Sequence, residues 1–387
     1  MIGQPGDSKA EELGLRPFYA MDVFARSRQL EADGRDICHL EAGEPFAPPA
    51  PKVIEALKSA VKSPQRYTQG RGMLPLRLAL SAYYRTQHGV TVDPESIMVT
   101  TGSSAAFILG FLGGFELGAK IAVTRPGYPA YLNTTSGLGY RPVEIAVQAA
   151  NGWRLTGADI EAAHAREPFA GLLFASPANP TGASVDRAGM ADIVATCRKL
   201  GVRLISDEIY HGLDYRGPSV SALELTDEAL IINSFSKYYC MTGYRVGWMV
   251  VPDALMAKTL MLQQNLFISA PAISQVAAEV ALGERGHAEA QKALYARNRT
   301  LINEGLRTLG FGEVREPDGA FYSFVEVSRF TNDSLTFCYE LLEGAGVAAA
   351  PGRDFDRTNG HRYLRFCYAG ATETIERALE RMAGFLK

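Results

Sequence analysis

Lys237 lies in Asn233-Ser-Phe-Ser-Lys-Tyr-Tyr-Cys-Met-Thr-Gly-Tyr-Arg-Val-Gly-Trp248, with hydroxyls at Ser234 and Ser236 and a single cation, Arg245, eight residues on. A lysine at the end of an apolar run, beside hydroxyls and followed by an arginine, suits a Schiff-base amine next to a phosphate. A solvated loop lysine shares this local pattern, so the remaining residues decide between the two.

Such an amine needs a ring, a charge and a substrate clamp. If the ligand is a pyridine bearing an aldehyde and a phosphate, its ring nitrogen must stay protonated, which requires a carboxylate. Asp207, at the end of Val202-Arg-Leu-Ile-Ser, is placed for that, although an aspartate there can also cap a turn. Tyr210 and Asn179 can hydrogen-bond the ring oxygen, and Tyr128 can stack on the ring face. Ser234, Ser236, Arg245 and the start of a helix at Gly102-Ser103-Ser104 can share the phosphate. Ser103 and Ser104 also read as plain N-caps. Lys237 would serve as the base at the substrate Cα, given a pKa lowered by burial and by Arg245. Arg365, amid Tyr363-Leu-Arg-Phe-Cys, is either a bidentate clamp for a carboxylate or an edge-strand arginine reaching solvent.

Short apolar runs position these residues. Ile97-Met-Val-Thr-Thr, Lys120-Ile-Ala-Val-Thr, Gly171-Leu-Leu-Phe-Ala-Ser, Val202-Arg-Leu-Ile-Ser and Ala229-Leu-Ile-Ile-Asn-Ser read as strands, with helical stretches such as Asp186 to Leu200 between them. This predicts an α/β fold whose large domain holds a mostly parallel sheet covered by helices on both faces. Asn179, Asp207, Tyr210 and Lys237 all follow strand ends, the edge at which open α/β sheets bind ligands. Beyond Pro252 a long helical region breaks at Ser269-Ala-Pro and resumes to about Leu309. Strands at Gly319 to Val327 and His361 to Tyr368, with a last amphipathic helix, predict a smaller α+β domain completed by the N-terminal arm. The expected boundaries are 46–284 for the large domain and 1–45 with 285–387 for the small one. Gly43, in Leu40-Glu-Ala-Gly-Glu-Pro, either lets a ligand approach the backbone or turns the chain.

The 387 residues exceed one compact core, and 47% hydrophobic with 21% charged residues is a globular balance. A formal charge of −3 without a basic block argues against nucleic acid or an anionic membrane as a partner. Five scattered cysteines without a C-x-x-C pair, and six histidines without H-E-x-x-H, support neither a disulfide framework nor a metal centre. His88, His164, His287 and His361 read as surface residues. No secretory or membrane-spanning segment is evident, so a cytoplasmic location is expected.

Asn179-Pro-Thr-Gly, Asp207-Glu-Ile-Tyr, Ser234-Phe-Ser-Lys with Thr242-Gly-Tyr-Arg-Val-Gly-Trp, and Tyr363-Leu-Arg-Phe stand in an order that resembles class I/II aminotransferases of the fold type I pyridoxal-phosphate enzymes. The resemblance spans essentially the whole chain. It implies that Lys237 carries pyridoxal 5′-phosphate, that Asp207 contacts the pyridine nitrogen, and that Asn179 and Tyr210 contact the ring oxygen, with Tyr128 stacked. It implies phosphate contacts from Ser103, Ser104, Ser236 and Arg245, and a carboxylate site at Arg365 and the Gly43 backbone. It further implies a cis Asn179-Pro180 bond and a homodimer in which Tyr67 reaches the neighbour's phosphate. Phe18, Tyr19 and Met21 resemble the segment that lines the side-chain pocket, which favours an apolar or aromatic amino donor passing its nitrogen to a 2-oxo acid in two half-reactions. A second cation for a distal carboxylate is not securely placed; Arg71 is a candidate, with a solvated loop arginine as its plainer reading. Two other functions share much of this pattern: a β-elimination lyase with the same cofactor, and a ligand-sensing domain of the kind joined to a basic DNA-binding module, of which this chain has no trace.

Overall fold

The computed structural model describes residues 14–387; the first part of the N-terminal arm, residues 1–13, lies outside the described residues. A seven-stranded sheet forms the centre of the large domain, in the order β2-β8-β7-β6-β5-β3-β4. Its strands are β2 (Ile97–Thr100), β3 (Lys120–Arg125), β4 (Arg141–Ala146), β5 (Gly171–Ala175), β6 (Arg203–Asp207), β7 (Leu230–Ser234) and β8 (Gly247–Val250). Successive residues point to opposite faces of a strand. Leu173, Ile205, Leu230 and Ile232 therefore pack into one core with Phe107 and Phe111 of the helix Gly102–Gly114. Leu172, Leu204 and Ile231 pack into the other, with Ile193 and Val194 of the helix Arg187–Leu200. Both faces are covered, which is why these strands read as unbroken apolar runs.

One strand runs against the rest. Apart from β8 the strands share one direction, but β8 pairs antiparallel with both β7 and β2. Residues 235–246, which join β7 to β8, contain only the 3-10 turn Thr242–Tyr244. A parallel return needs a crossover of about a dozen residues or more, usually a helix, so this connection turns straight back. The two flanks of the Lys237 turn are thus paired to each other, Ser234 against Gly247. The turn is anchored at both ends.

The rest of the chain forms smaller sheets. β1 (Cys38–His39) pairs with β10 (Val347–Ala348), and β12 (Tyr363–Cys367) lies between β11 (Ala350–Pro351) and β9 (Tyr322–Glu326). Arg365 is therefore on a central strand, opposite Ala350 and Phe324. The helical region expected to resume after Ser269-Ala-Pro and reach about Leu309 is two helices, Ala272–Gly283 and Arg285–Thr308. The helices Pro129–Gly137 and Gly157–Arg166 pack beside β4. No helix among the described residues is long and apolar enough to cross a membrane.

Candidate active site

Most of the residues singled out above line one cavity of about 450 Å³ at the carboxyl ends of the parallel strands. Asp207 is the last residue of β6 and is 2% exposed. Its Oδ2 accepts the Tyr131 hydroxyl at 2.5 Å and its Oδ1 accepts the Ile209 N–H at 3.1 Å. Burial pushes its pKa up to about 6, against the pull of those two donors and of Lys237. A carboxylate held here lacks only a cation.

Lys237, just beyond β7, opens to the cavity but is walled in by protein, and its Nζ donates to the Gly43 carbonyl at 2.5 Å. Burial pushes its pKa down to about 8; Cys367 opposes this, while Arg365 and Arg245 add to it. Gly43 is required to be small: a Cβ there would lie 2.8 Å from the Tyr322 hydroxyl and 3.5 Å from the Arg365 guanidinium.

Arg365 is 2% exposed, so the reading of an edge-strand arginine in solvent is overturned by its central position on β12. Its Nη1 donates to Asn179 Oδ1 at 3.1 Å and its Nη2 to the Glu41 carbonyl at 2.6 Å, while Nε has no partner. The guanidinium lies 4.4 Å over the Tyr322 ring and 4.8 Å over Phe355. Its hydrogen-bond partners are neutral and no carboxylate pairs with it among the described residues, although Asp354 and Lys237 are near enough to feel its charge. A buried cation without a counter-ion is costly unless a ligand supplies one.

At the other end of the cavity, Ser103 and Ser104 occupy the first turn of Gly102–Gly114, with Ser236 and Arg245 beside them. Arg245 adopts φ +50° and its Nη1 donates to Thr242 O at 2.9 Å. Gly102 adopts φ +70°, and a Cβ there would lie 2.6 Å from Arg245 Nη2. Ser234 is not on the cavity wall. Its hydroxyl is 2.9 Å from Ser236 Oγ and 3.1 Å from Val246 O, and it accepts the Ser236 N–H, so it supports Ser236 from behind.

Tyr210 meets Tyr322 hydroxyl to hydroxyl at 2.7 Å, Tyr128 lies edge-on to Tyr131 with ring centroids 5.4 Å apart, and Phe18 closes the outer rim. Tyr67 lies outside this cavity and is 82% exposed. Arg71 also lies outside it, paired with Glu95. The Asn179–Pro180 bond is cis. Tyr131, Tyr322 and Glu41 were missed from the sequence. Tyr131 had a signal, since it follows Tyr128 by three positions at the start of a helix and so shares its face. Tyr322 and Glu41 meet Arg365 only through the packing of β9 and β1 regions that are remote in sequence.

A family model described as aminotransferase class I and II matches residues 35–382. The chain belongs to this family. It is an aminotransferase, and the cofactor of the family is pyridoxal 5′-phosphate. Among relatives of this aminotransferase, the valine–pyruvate aminotransferase of Mycobacterium tuberculosis is 42% identical over 386 residues, covering 98% of this chain and 99% of the relative. The (5-formylfuran-3-yl)methyl phosphate transaminase of Methanocaldococcus jannaschii is 35% identical, covering 97% of this chain and 98% of the relative. The crystal structure of an aminotransferase from Mycobacterium tuberculosis superposes with a TM-score of 0.93 at 40% identity, over 96% of this chain and 97% of the other.

Proposed function

We propose that this aminotransferase moves the amino group of a small apolar L-amino acid, of the valine type, to a short 2-oxo acid of the pyruvate type. The observation that carries the carboxylate-binding half of this reading is the buried guanidinium of Arg365, which has free N–H groups, Nε included, and no acidic partner. The apolar half rests on the far wall. Phe18, Ala20, Met21, Phe24 and Ile209 line it, and the cavity holds no cation besides Lys237, Arg245 and Arg365 among the described residues. Glu44, which also lines the cavity, would repel a second substrate carboxylate. The printed name of the 42% identical relative points the same way.

The residues present fit pyridoxal phosphate. In this reading Ser103, Ser104, Ser236 and Arg245 would hold the phosphate, and Gly102 is bare where a Cβ would displace Arg245. Asp207 would hold the protonated ring nitrogen, Asn179 and Tyr210 the ring oxygen, Tyr128 the ring face, and Lys237 the aldehyde carbon. When bound, the cofactor supplies an electron-withdrawing ring that stabilises charge developing at the substrate Cα. The protein does the rest. Arg365 seats the α-carboxylate, and the Gly43 carbonyl, now bonded to Lys237, limits how close the substrate backbone comes. Lys237 Nζ takes the Cα proton, a task for which a pKa near 8 is well matched.

Initial rates with pyruvate as acceptor test the substrate reading. L-Valine, L-leucine or L-alanine is expected to exceed L-aspartate in kcat/KM by about a hundredfold, on the order expected for burying an unpaired carboxylate. A preference for aspartate would overturn it. Gly102→Ala tests the phosphate seat: the added methyl and the φ of +70° are expected to weaken cofactor retention about tenfold or more. Retention equal to the wild type after dialysis, read by absorbance, would remove Gly102 and Arg245 from that role.

A homodimer completes this reading. Tyr67, Leu74, Leu78, Met261 and Ile268 are exposed large apolar residues, and a shared interface would bury such residues. Sedimentation giving a monomer at assay concentration would exclude a contribution of Tyr67 to a neighbour's site.

A further inference from the structure

Arg365 takes its aim from a stretch of chain that is itself loosely tied. Leu40 is pinned by backbone bonds to Ala348 and Cys367, and Phe46 by one to Ala369. Between them residues 41–45 make no backbone-to-backbone hydrogen bond among the described residues. Side chains must therefore fix this stretch, and it carries the Glu41 carbonyl that accepts Arg365 Nη2 at 2.6 Å.

The Glu41 side chain is fully enclosed, with Oε1 2.8 Å from His39 Nδ1 and Oε2 without a partner. The Ser27 hydroxyl lies 3.2 Å from the same Oε1 but only 2.7 Å from the Phe24 carbonyl, and its one proton serves one of them. His39 is thus the main anchor of Glu41. On the other side of the ring, His39 Nε2 is 2.9 Å from Glu31 Oε1. A neutral imidazole has one N–H and one lone pair, so it can donate to only one of two carboxylates. Only the imidazolium donates to both. The charges agree: Glu41, with Glu31 adding to it, holds the His39 pKa above the usual imidazole range against burial. His39 in turn holds the Glu31 carboxyl below its usual range.

Other groups around the ring are engaged elsewhere. On the helix Tyr19–Ala32, Arg28 pairs with Glu31 at 2.8 Å, and the Phe24 ring lies 6.4 Å from the imidazole. The paired strand β10 is apolar. The helix Thr372–Phe385, which packs on β1, turns Arg377 and Arg381 to Asp36, and Glu343 pairs with Arg26 and Arg35. The thiols of Cys338 and Cys367 sense Glu41.

We propose that His39, as an imidazolium shared by Glu31 and Glu41, is a positioning residue for the substrate carboxylate: it fixes Glu41, whose carbonyl aims Arg365. It touches neither substrate nor cofactor. Loss of its proton leaves the enclosed Glu41 carboxylate without a cation, which favours movement of residues 41–45 and frees Arg365 Nη2. The proposal rests on the reading of Arg365 as the α-carboxylate seat.

Titration of the cofactor-loaded protein with 3-methylbutanoate, valine without its amino group, tests it, since this probe cannot be transaminated. The wild type is expected to bind about tenfold more weakly above the His39 midpoint than below it, and by linkage the probe should raise that midpoint, followed by NMR of the ring, by about one pH unit. Glu31→Gln, on the outer side of the ring, should match the wild-type affinity below the step but move the step down by about one pH unit. His39→Gln should bind weakly on both sides of the wild-type step. With L-valine its KM should rise about tenfold while kcat stays within about threefold, which shows that it folds. A step at the same pH in Glu31→Gln as in the wild type would overturn the proposal, because Lys237 and Asp354, with pKa values of about 8 and about 7, would then be its source. So would wild-type binding in His39→Gln when Arg365→Lys binds at least about tenfold more weakly. Wild-type binding in Arg365→Lys would overturn the carboxylate seat itself, and this proposal with it.

Discussion

Lys237→Ala is expected to lose transamination by at least about four orders of magnitude, since in its proposed roles one change removes both the covalent anchor and the base. The loss should not come from unfolding. The Nζ hydrogen bond recorded in the structure goes to the Gly43 carbonyl, and burial already disfavours its charge. The sign follows from the direction of the shift. Between about 8 and the ordinary 10.5 the unfolded lysine binds a proton that the folded one does not, so this group lowers stability at neutral pH. Cofactor-free Lys237→Ala should therefore melt no lower than the wild type. Competitive acylation of the cofactor-free wild type should label Lys237 with a midpoint near pH 8. A midpoint near 10.5 would mean that the amine is solvated and not tuned for proton transfer.

Asp207→Asn should separate stability from activity in opposite directions. Turnover is expected to fall by about three orders of magnitude, because a neutral amide cannot keep a ring nitrogen protonated. Cofactor-free protein should become more stable at pH 7.5. The Asp207 carboxyl is fully enclosed, and its folded pKa of about 6 stands above the ordinary 3.8. Its contribution to stability is thus complete below pH 3.8 and lost as pH rises through about 6, a difference of ~3 kcal/mol at neutral pH. Asparagine carries no charge; its oxygen can accept from the Ile209 N–H and its amide can donate to the Tyr131 hydroxyl. A rise of roughly a few degrees in the melting temperature at pH 7.5, shrinking as pH falls below about 6 and gone below 3.8, is the expected pattern. A cofactor-free variant that melts below the wild type at pH 7.5 would mean that Asp207 is already compensated by the protein alone.

The large sheet was legible because β5, β6 and β7 are enclosed on both faces, and enclosure leaves a continuous apolar run in the sequence. The same pattern could not reveal that β8 runs backwards. Strand direction depends on the connection, and residues 235–246 are too short of regular structure to cross over. β4 was missed since Arg141, Glu144 and a proline interrupt its apolar residues at the exposed edge of the sheet. Within the site, residues at strand ends were readable as candidates from topology alone. Tyr322 and Glu41 were not, because they reach Arg365 from β9 and from beside β1, which only the folded chain brings together. The polar neighbours of His88 suggested a surface position, whereas its ring turns inward at the end of the helix Leu74–His88 to meet His211.

In the proposed function, with Lys237, Asp207 and Arg365 in the roles given above, the reaction stops after one half until an oxo acid arrives. Mixing the cofactor-loaded protein with excess L-valine, with no acceptor present, measures this directly. The account predicts one equivalent of the matching 2-oxo acid per active site, no free ammonia, and renewed turnover only when pyruvate is added. Continuous release of oxo acid and ammonia without an acceptor would contradict it.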